Sequence, residues 1–482
     1  MNGSPNHRIP KPGAAVEDAA PDRMSKARMR LGWIVGAAIA LAAPCVTIGA
    51  QRTPGILPDV KAGGSANVRV LAHVPLGGFF KVGDLTLEQS NTRPFAYVAQ
   101  SLDQTGFTAI DLRDPERPGV LYRWRIERAA QHRGMGGTKA RYFSTRGRTF
   151  LVLGVQFAPG SLDDDLLAIV FDVTGLPDAS AIREVARIRE PARRGGVRDI
   201  FTYKHSDARP MLFAAVHGPE ALVYDLDAIV AGRGAAVIGR VPIPELAASA
   251  PADAGYAGLF VGYDPSSSQD RMYGAGRGGY FVYDVSDPAR AKLLTSVVGA
   301  AGVMNGSSIT PTPDGRHALT TTDYEYSPLR VFDLEPGLEG KVQTVSRPVG
   351  AWVADWHDAV HAAEMRWPLA FVASLEDGLQ VINVVNPADP RTVGWYYTCL
   401  CEHQTGFDSP DHPKGTSVIN GAIGVDVRNS DGLVAVTDAS TGLWVFRMEG
   451  FGGWRGEDWS MPDVTRAQDW GRGPIRPASP IF

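Results

Sequence analysis

The sequence predicts an all-β fold, a seven-bladed β-propeller of four-stranded antiparallel blades closed by an N-terminal strand. Three observations predict it. A short apolar row recurs seven times along the chain. Each row lies among other short strands bounded by turn residues. One strand is missing at the end of the series, and one is spare at its start.

The rows are Phe107-Thr-Ala-Ile-Asp111, Ala168-Ile-Val-Phe-Asp172, Ala221-Leu-Val-Tyr-Asp225, Tyr280-Phe-Val-Tyr-Asp284 and Leu329-Arg-Val-Phe-Asp333, followed by the relaxed copies Leu379-Gln-Val-Ile-Asn383 and Leu443-Trp-Val-Phe-Arg447. Steps of about 49 to about 64 residues separate them, a spacing that marks a repeat architecture. Val, Ile, Phe and Tyr dominate, and the rows are too short for helices. After the row comes a turn signal, as in Asp114-Pro115, Asp287-Pro288 and Asn386-Pro387. Pro presets φ there and the Asx side chain caps the turn.

A second apolar strand precedes each row, for example Phe95–Ala99, Met211–Ala215 and Leu369–Ala373, joined to it by a short Gly-bearing or polar connection. A third follows the turn, as at Val120–Trp124, Glu184–Ile188, Leu293–Val297 and Thr392–Tyr396. A fourth, rich in small residues, leads each unit: Val82–Leu85, Val197–Ile200, Trp356–Val360 and Ala422–Asp426. Small side chains suit the innermost position, where blades converge. Four strands repeated seven times describe a propeller. The seventh unit supplies three strands, so Val68–His73 is expected to complete it and remove both free edges.

These rows, the Asp-Pro stop and the Leu369-Ala-Phe-Val-Ala373 strand resemble the LVIVD-repeat proteins, over about residues 67 to 450. The resemblance implies a β-propeller and carries no established ligand positions. Blades two and three lack the Asp-Pro stop.

Composition excludes little but agrees. The net charge of −4 does not recommend nucleic acid. The 54 glycines and 35 prolines suit a turn-rich β protein. Residues 1–23 read as a disordered extension, with Met24 a natural start. Lys26, Arg28 and Arg30 then precede the apolar run Leu31–Ala50. A basic start, an apolar core and small residues at Gly49-Ala50 describe a secretory signal. The same run is long enough for an uncleaved anchor, so residues 24–50 are signal peptide or membrane anchor and the propeller is expected outside the cytoplasmic membrane, periplasmic or secreted. Residues 51–66 form a linker, 67–450 the propeller, and 451–482 an irregular tail that packs on the propeller side.

Chemistry is sparse. Gly-x-Ser-x-Gly, His-Glu-x-x-His and P-loop patterns are absent. Asp355, His357 and His361 share parity on the segment read as the inner strand of blade six, and Cys399, Cys401 and His403 repeat that parity after its outer strand, with His412 following. Thiolate and imidazole suit zinc or copper. The alternatives are a Cys399–Cys401 disulfide, natural in an exported chain, or thiols with no such role. Asp84, Asp199 and Asp358 occupy matching places on three inner strands. Facing the channel they would hold a cation or polar ligand; facing a neighbouring blade they would be structural hydrogen-bond partners. The preferred function is a non-catalytic binding or scaffold module, a monomer that takes a protein or small polar ligand at the propeller face. A metal-dependent enzyme built on His357, His361, Cys399, Cys401 and His403 is the alternative.

Overall fold

Each apolar row becomes the third strand of a four-stranded sheet. The computed structural model describes residues 63–78, 80–244, 255–322, 326–355, 359–398, 421–459, 464–465 and 470. In blade order, inner strand first, the sheets begin with Val82–Leu87, Phe95–Gln100, Gly106–Asp111 and Gly119–Arg125. Blade two is Gly136–Thr145, Arg148–Gln156, Leu166–Asp172 and Arg183–Arg189; blade three is Val197–Lys204, Pro210–Val216, Glu220–Asp225 and Val237–Pro242. Blade four is Tyr256–Asp264, Gln269–Gly276, Gly279–Asp284 and Lys292–Val298; blade five is Ser308–Pro311, His317–Thr321, Leu329–Asp333 and Gly350–Trp352. Blade six is Ala362–Arg366, Leu369–Ala373, Leu379–Asn383 and Arg391–Tyr396. Blade seven takes Ala422–Val427, Val434–Asp438 and Gly442–Met448 from the end of the chain and Val68–Val74 from its start. Blades two and three, which lack the Asp-Pro stop, are as regular as the others.

The middle strands are apolar on both faces because each sheet is covered by a neighbour on either side. Phe95–Gln100 and Leu166–Asp172 are buried throughout, whereas the outer strand Gly119–Arg125 is largely exposed. Across one such interface Phe107 of blade one meets Phe171 of blade two, ring centroids 4.8 Å apart.

The Asp that ends the row is a backbone cap. Asp111 Oδ1 accepts from Arg113 N–H, Asp172 Oδ1 from Thr174 N–H, Asp284 Oδ1 from Ser286 N–H and Asp333 Oδ1 from Glu335 N–H. Asn383 does the same for Val385 N–H, and Asp225 caps a short helix, Leu226–Val230, through Ala228 N–H. A short acceptor side chain satisfies a donor that the strand has just released, a contribution of about 1 kcal/mol per cap. The chemistry explains why the row ends on Asp or Asn. In the seventh copy Arg447 instead reaches across to Asp431.

Ring closure is as expected. Val68 pairs with Met448 and Val74 with Leu443, antiparallel, with a bulge between Val70 and Ala72. His73 stacks on Trp444 at 4.1 Å. One strand was not foreseen: Thr344–Val345, from the connection inside blade five, adds in parallel to the outer edge of blade four.

Two expectations are corrected. The inner strand of blade six is Ala362–Arg366, not Trp356–Val360. Only Trp367 and Pro368 separate it from its partner strand, against the longer connection in blade one, so it lies later in the sequence. The residue in register with Asp199 is therefore Ala362, since Ala362 pairs with Ala373 as Asp199 pairs with Ala215. The tail also differs. Val464 N–H donates to Pro313 O, its carbonyl lies against Gly262, and Lys204 Nζ donates to Trp470 O. These contacts are at the ends of inner strands, so Val464 and Trp470 lie at one face of the propeller rather than at its side.

Candidate functional site

The inner strands line a central channel, and a bulge near the start of five of them sets which side chains reach it. The register shifts fall at Val82/Leu85, Gly137/Lys139, Val197/Asp199, Tyr256/Gly258 and Ala422/Gly424. Bulges re-aim side chains, here at the face where the inner strands begin, called the upper face. Asp84, Lys139 and Asp199 occupy equivalent places on blades one, two and three. Two residues further along, Arg141, Phe201, Phe260, Glu364 and Asp426 form the next layer.

The channel holds two cavities. The upper one, about 330 Å³, is lined by Asp84, Lys139, Arg198, Asp199, His361 and Glu364 among others. The lower one, about 100 Å³, is bounded by Arg141, Glu364, Arg366 and Asp426, with Thr465 and Trp470 of the tail at its mouth. Trp470 is 9% exposed and packs edge-on against Tyr142 and Phe143 of blade two. Thr465 and Trp470 of the tail thus form part of the wall of the lower cavity.

Asp84 and Asp199 do line the channel, yet their oxygens are already used. Asp84 Oδ1 accepts from Leu85 N–H at 2.8 Å, and Oδ2 faces Lys139 Nζ at 3.2 Å and Arg141 at 3.0 Å. Asp199 Oδ1 accepts from Ile200 N–H and lies 3.7 Å from Lys139 Nζ; Oδ2 accepts from Leu259 N–H of blade four at 2.7 Å. Asp426 repeats this link at the ring closure, accepting from Val427 N–H and, at 2.7 Å, from Leu87 N–H of blade one. The carboxylates join one blade's inner strand to the next. Burial opposes the charge of Asp84, but Lys139 and Arg141 outweigh it and hold its carboxyl below the usual range. Burial likewise works against Lys139 and Arg141, and the surrounding carboxylates hold both up.

The lower layer behaves differently. Arg366, with its side chain 1% exposed, donates to Glu364 at 3.1 Å and to Met365 O, Val427 O and Asn429 Oδ1. Asp426 is 4.0 Å from Arg366. Burial, and then the neighbouring Glu364 charge, push Asp426 up to about 7. The native state therefore binds a proton that the unfolded chain has released, between the ordinary carboxylate range near ~4 and about 7. In that window this group's contribution to stability falls as pH rises. Asp426→Asn keeps the acceptor for Leu87 N–H and removes the titration. Its melting temperature relative to the parent is expected to rise from pH 5 to pH 8, and a difference independent of pH would refute the assignment.

The metal reading gathers no support from the described residues. His361 lines the upper cavity, its Nδ1 buried without a hydrogen-bond partner. His357, Asp358, Cys399, Cys401, His403 and His412 lie outside the described residues. Among those described, no group of three His, Cys, Asp or Glu side chains could hold a metal ion. A Ser–His–Asp grouping also occurs where blade three meets blade four. There Asp270 is the hub, accepting from Tyr203 Oη, Ser206 Oγ and Ser206 N–H, with His205 Nε2 at 3.1 Å. His205 Nδ1 accepts from Asp207 N–H, so no ring nitrogen is left to take the Ser206 proton. That cluster is structural.

Lys139, Arg141, Glu364, Arg366 and Asp426 were not singled out from the sequence. A register alignment of the inner strands would have found Lys139 beside Asp84 and Asp199, but the bulges that set the register leave no mark in a single sequence.

No family model matches the chain, and no curated protein matches it. Among solved structures 1191 chains match. One, from a structure described as "Crystal Structure of Mitotic Checkpoint Complex", is 9% identical, with a TM-score of 0.48, covering 85% of this chain and 99% of that chain. At that level the likeness carries no argument about activity or partner.

Proposed function

We propose that this chain is an exported, non-catalytic binding or scaffold module of the LVIVD-repeat type, which receives its ligand or partner at the upper face. The observation that supports it most is the channel itself. It is a polar cavity at one mouth, with Thr465 and Trp470 among the lining at the other, and its buried charges Asp84, Lys139 and Arg141 pair with one another in place. Such a wall is built to hold a shape rather than to move a proton at the upper mouth. Export rests on the basic and apolar segment Lys26–Ala50, which lies outside the described residues. No helix among the described residues is long and apolar enough to cross a membrane.

Fractionation of cells expressing the full chain tests the location. The expected product lies outside the cytoplasmic membrane, either cleaved near Ala50 or retained by residues 31–50. A cytoplasmic product that keeps Met1 would overturn export. Metal analysis of untagged protein tests the class: stoichiometric zinc or copper would overturn the non-catalytic reading in favour of the His/Cys enzyme.

A further inference from the structure

The upper cavity carries charged donors that its own carboxylates do not all engage. Asp84 and Asp199 spend their oxygens on backbone N–H groups and on Lys139 and Arg141. Glu364 is held by Arg366. The Lys139 ammonium meets two carboxylates and carries three donors. Arg198 lines the same cavity, is exposed, and has no hydrogen-bond or ion-pair partner among the described residues. It adjoins Asp199 in sequence and lines the same cavity as Lys139. The buried Nδ1 of His361 adds a further unsatisfied polar atom.

The cavity also has an apolar wall. Phe201 and Phe260 are half-buried, their ring centroids 5.3 Å apart, and Leu259 and Ile309 adjoin them. The volume of about 330 Å³ lies at the small end of the range in which small-molecule sites occur, about 300–1,000 Å³. The unengaged Arg198 guanidinium selects an acceptor-rich group, and flat aromatic walls select a flat apolar body. The formal charges on the lining, three acids against three bases, do not repel an anion.

We propose that the upper cavity binds a small organic carboxylate on a flat apolar body, the carboxylate at Arg198 and Lys139 and the body against Phe201 and Phe260. The inference rests on the binding-module reading and narrows it to a ligand class.

The test uses the full chain with four probes at millimolar concentration, read by thermal shift and calorimetry: phenylacetate, phenethylamine, 2-phenylethanol and inorganic phosphate. Phenylacetate is expected to raise the melting temperature in a saturable, salt-sensitive way, and the other three to give at least about tenfold weaker binding. Arg198→Gln, at an exposed position, should weaken phenylacetate about tenfold or more and leave the unliganded melting temperature unchanged. Equal responses to the amine or the alcohol, or undiminished binding by the variant, overturn the proposal. No response to phenylacetate, in an exported metal-free chain, overturns this inference and leaves the binding-module reading standing. Stoichiometric zinc or copper overturns that reading itself.

Discussion

Deleting Val68–Val74 from the chain is expected to abolish cooperative folding of the ring and cause aggregation. That strand completes blade seven by pairing along Gly442–Met448. Without it the long apolar strand Gly442–Met448 becomes a free edge, and free strand edges template further pairing. Apolar surface is lost as well. Val68 and Val74 are buried, and each such side chain stabilises by about 1.5–3 kcal/mol. Leu443, Trp444 and Phe446, all buried in the intact ring, would lose part of their cover. Size-exclusion chromatography and urea unfolding read the effect. A synthetic peptide spanning residues 66–76 should restore a soluble monomer by adding the strand in trans. A deletion product that stays monomeric, with an unchanged unfolding midpoint, would show that the closure does not hold the ring together.

The second large effect is expected in the channel. Asp84→Ala removes the partner of two buried cations, Lys139 and Arg141, and the acceptor of Leu85 N–H. The side chains of the three groups are 7%, 16% and 23% exposed, so water compensates little. Breaking a buried pair from one side costs about 3–5 kcal/mol, because a charge is left behind without its counterion. Removing both ends costs much less. Asp84→Asn combined with Lys139→Met should therefore recover most of the loss, since the amide still accepts from Leu85 N–H and the thioether fills the space of the lysine stem. Urea denaturation of the parent, the single variant and the double variant measures this. A single variant within about 1 kcal/mol of the parent would show that the network is solvated and not structural.

The same network shows why the candidate site was only half legible. Asp84 and Asp199 stand out in the sequence because each follows a small or polar residue at the head of a unit, and they do line the channel. Their role could not be read there. Whether a carboxylate is spare or spent depends on the groups that face it, and those come from the next blade: Lys139 and Arg141 for Asp84, Leu259 N–H for Asp199. Asp358 was aligned with them on an assumed connection length. The two-residue turn at Trp367-Pro368 moves the inner strand of blade six to Ala362–Arg366 and puts Glu364 and Arg366 into the channel layer instead.

The sequence by itself determined the number of blades, the order of strands and the closure. These follow from local chemistry repeated in register: apolar rows buried on both faces, Asp or Asn caps at their ends, and one spare strand to fill one vacancy. The rows and caps are local, and the closure, though it joins Val68–Val74 to Gly442–Met448, follows from counting strands. The tertiary structure decided the rest. Val464 and Trp470 meet the lower ends of inner strands of blades far from them in the chain. Asp426 keeps its proton toward neutral pH because burial and Glu364 of the neighbouring blade act on it together. Among the described residues Arg198 has no ion-pair partner, while Lys139 of the neighbouring blade lies 3.7 Å from Asp199. Charge balance in a channel is a sum over seven converging strands, and the sum is fixed only when the ring has closed.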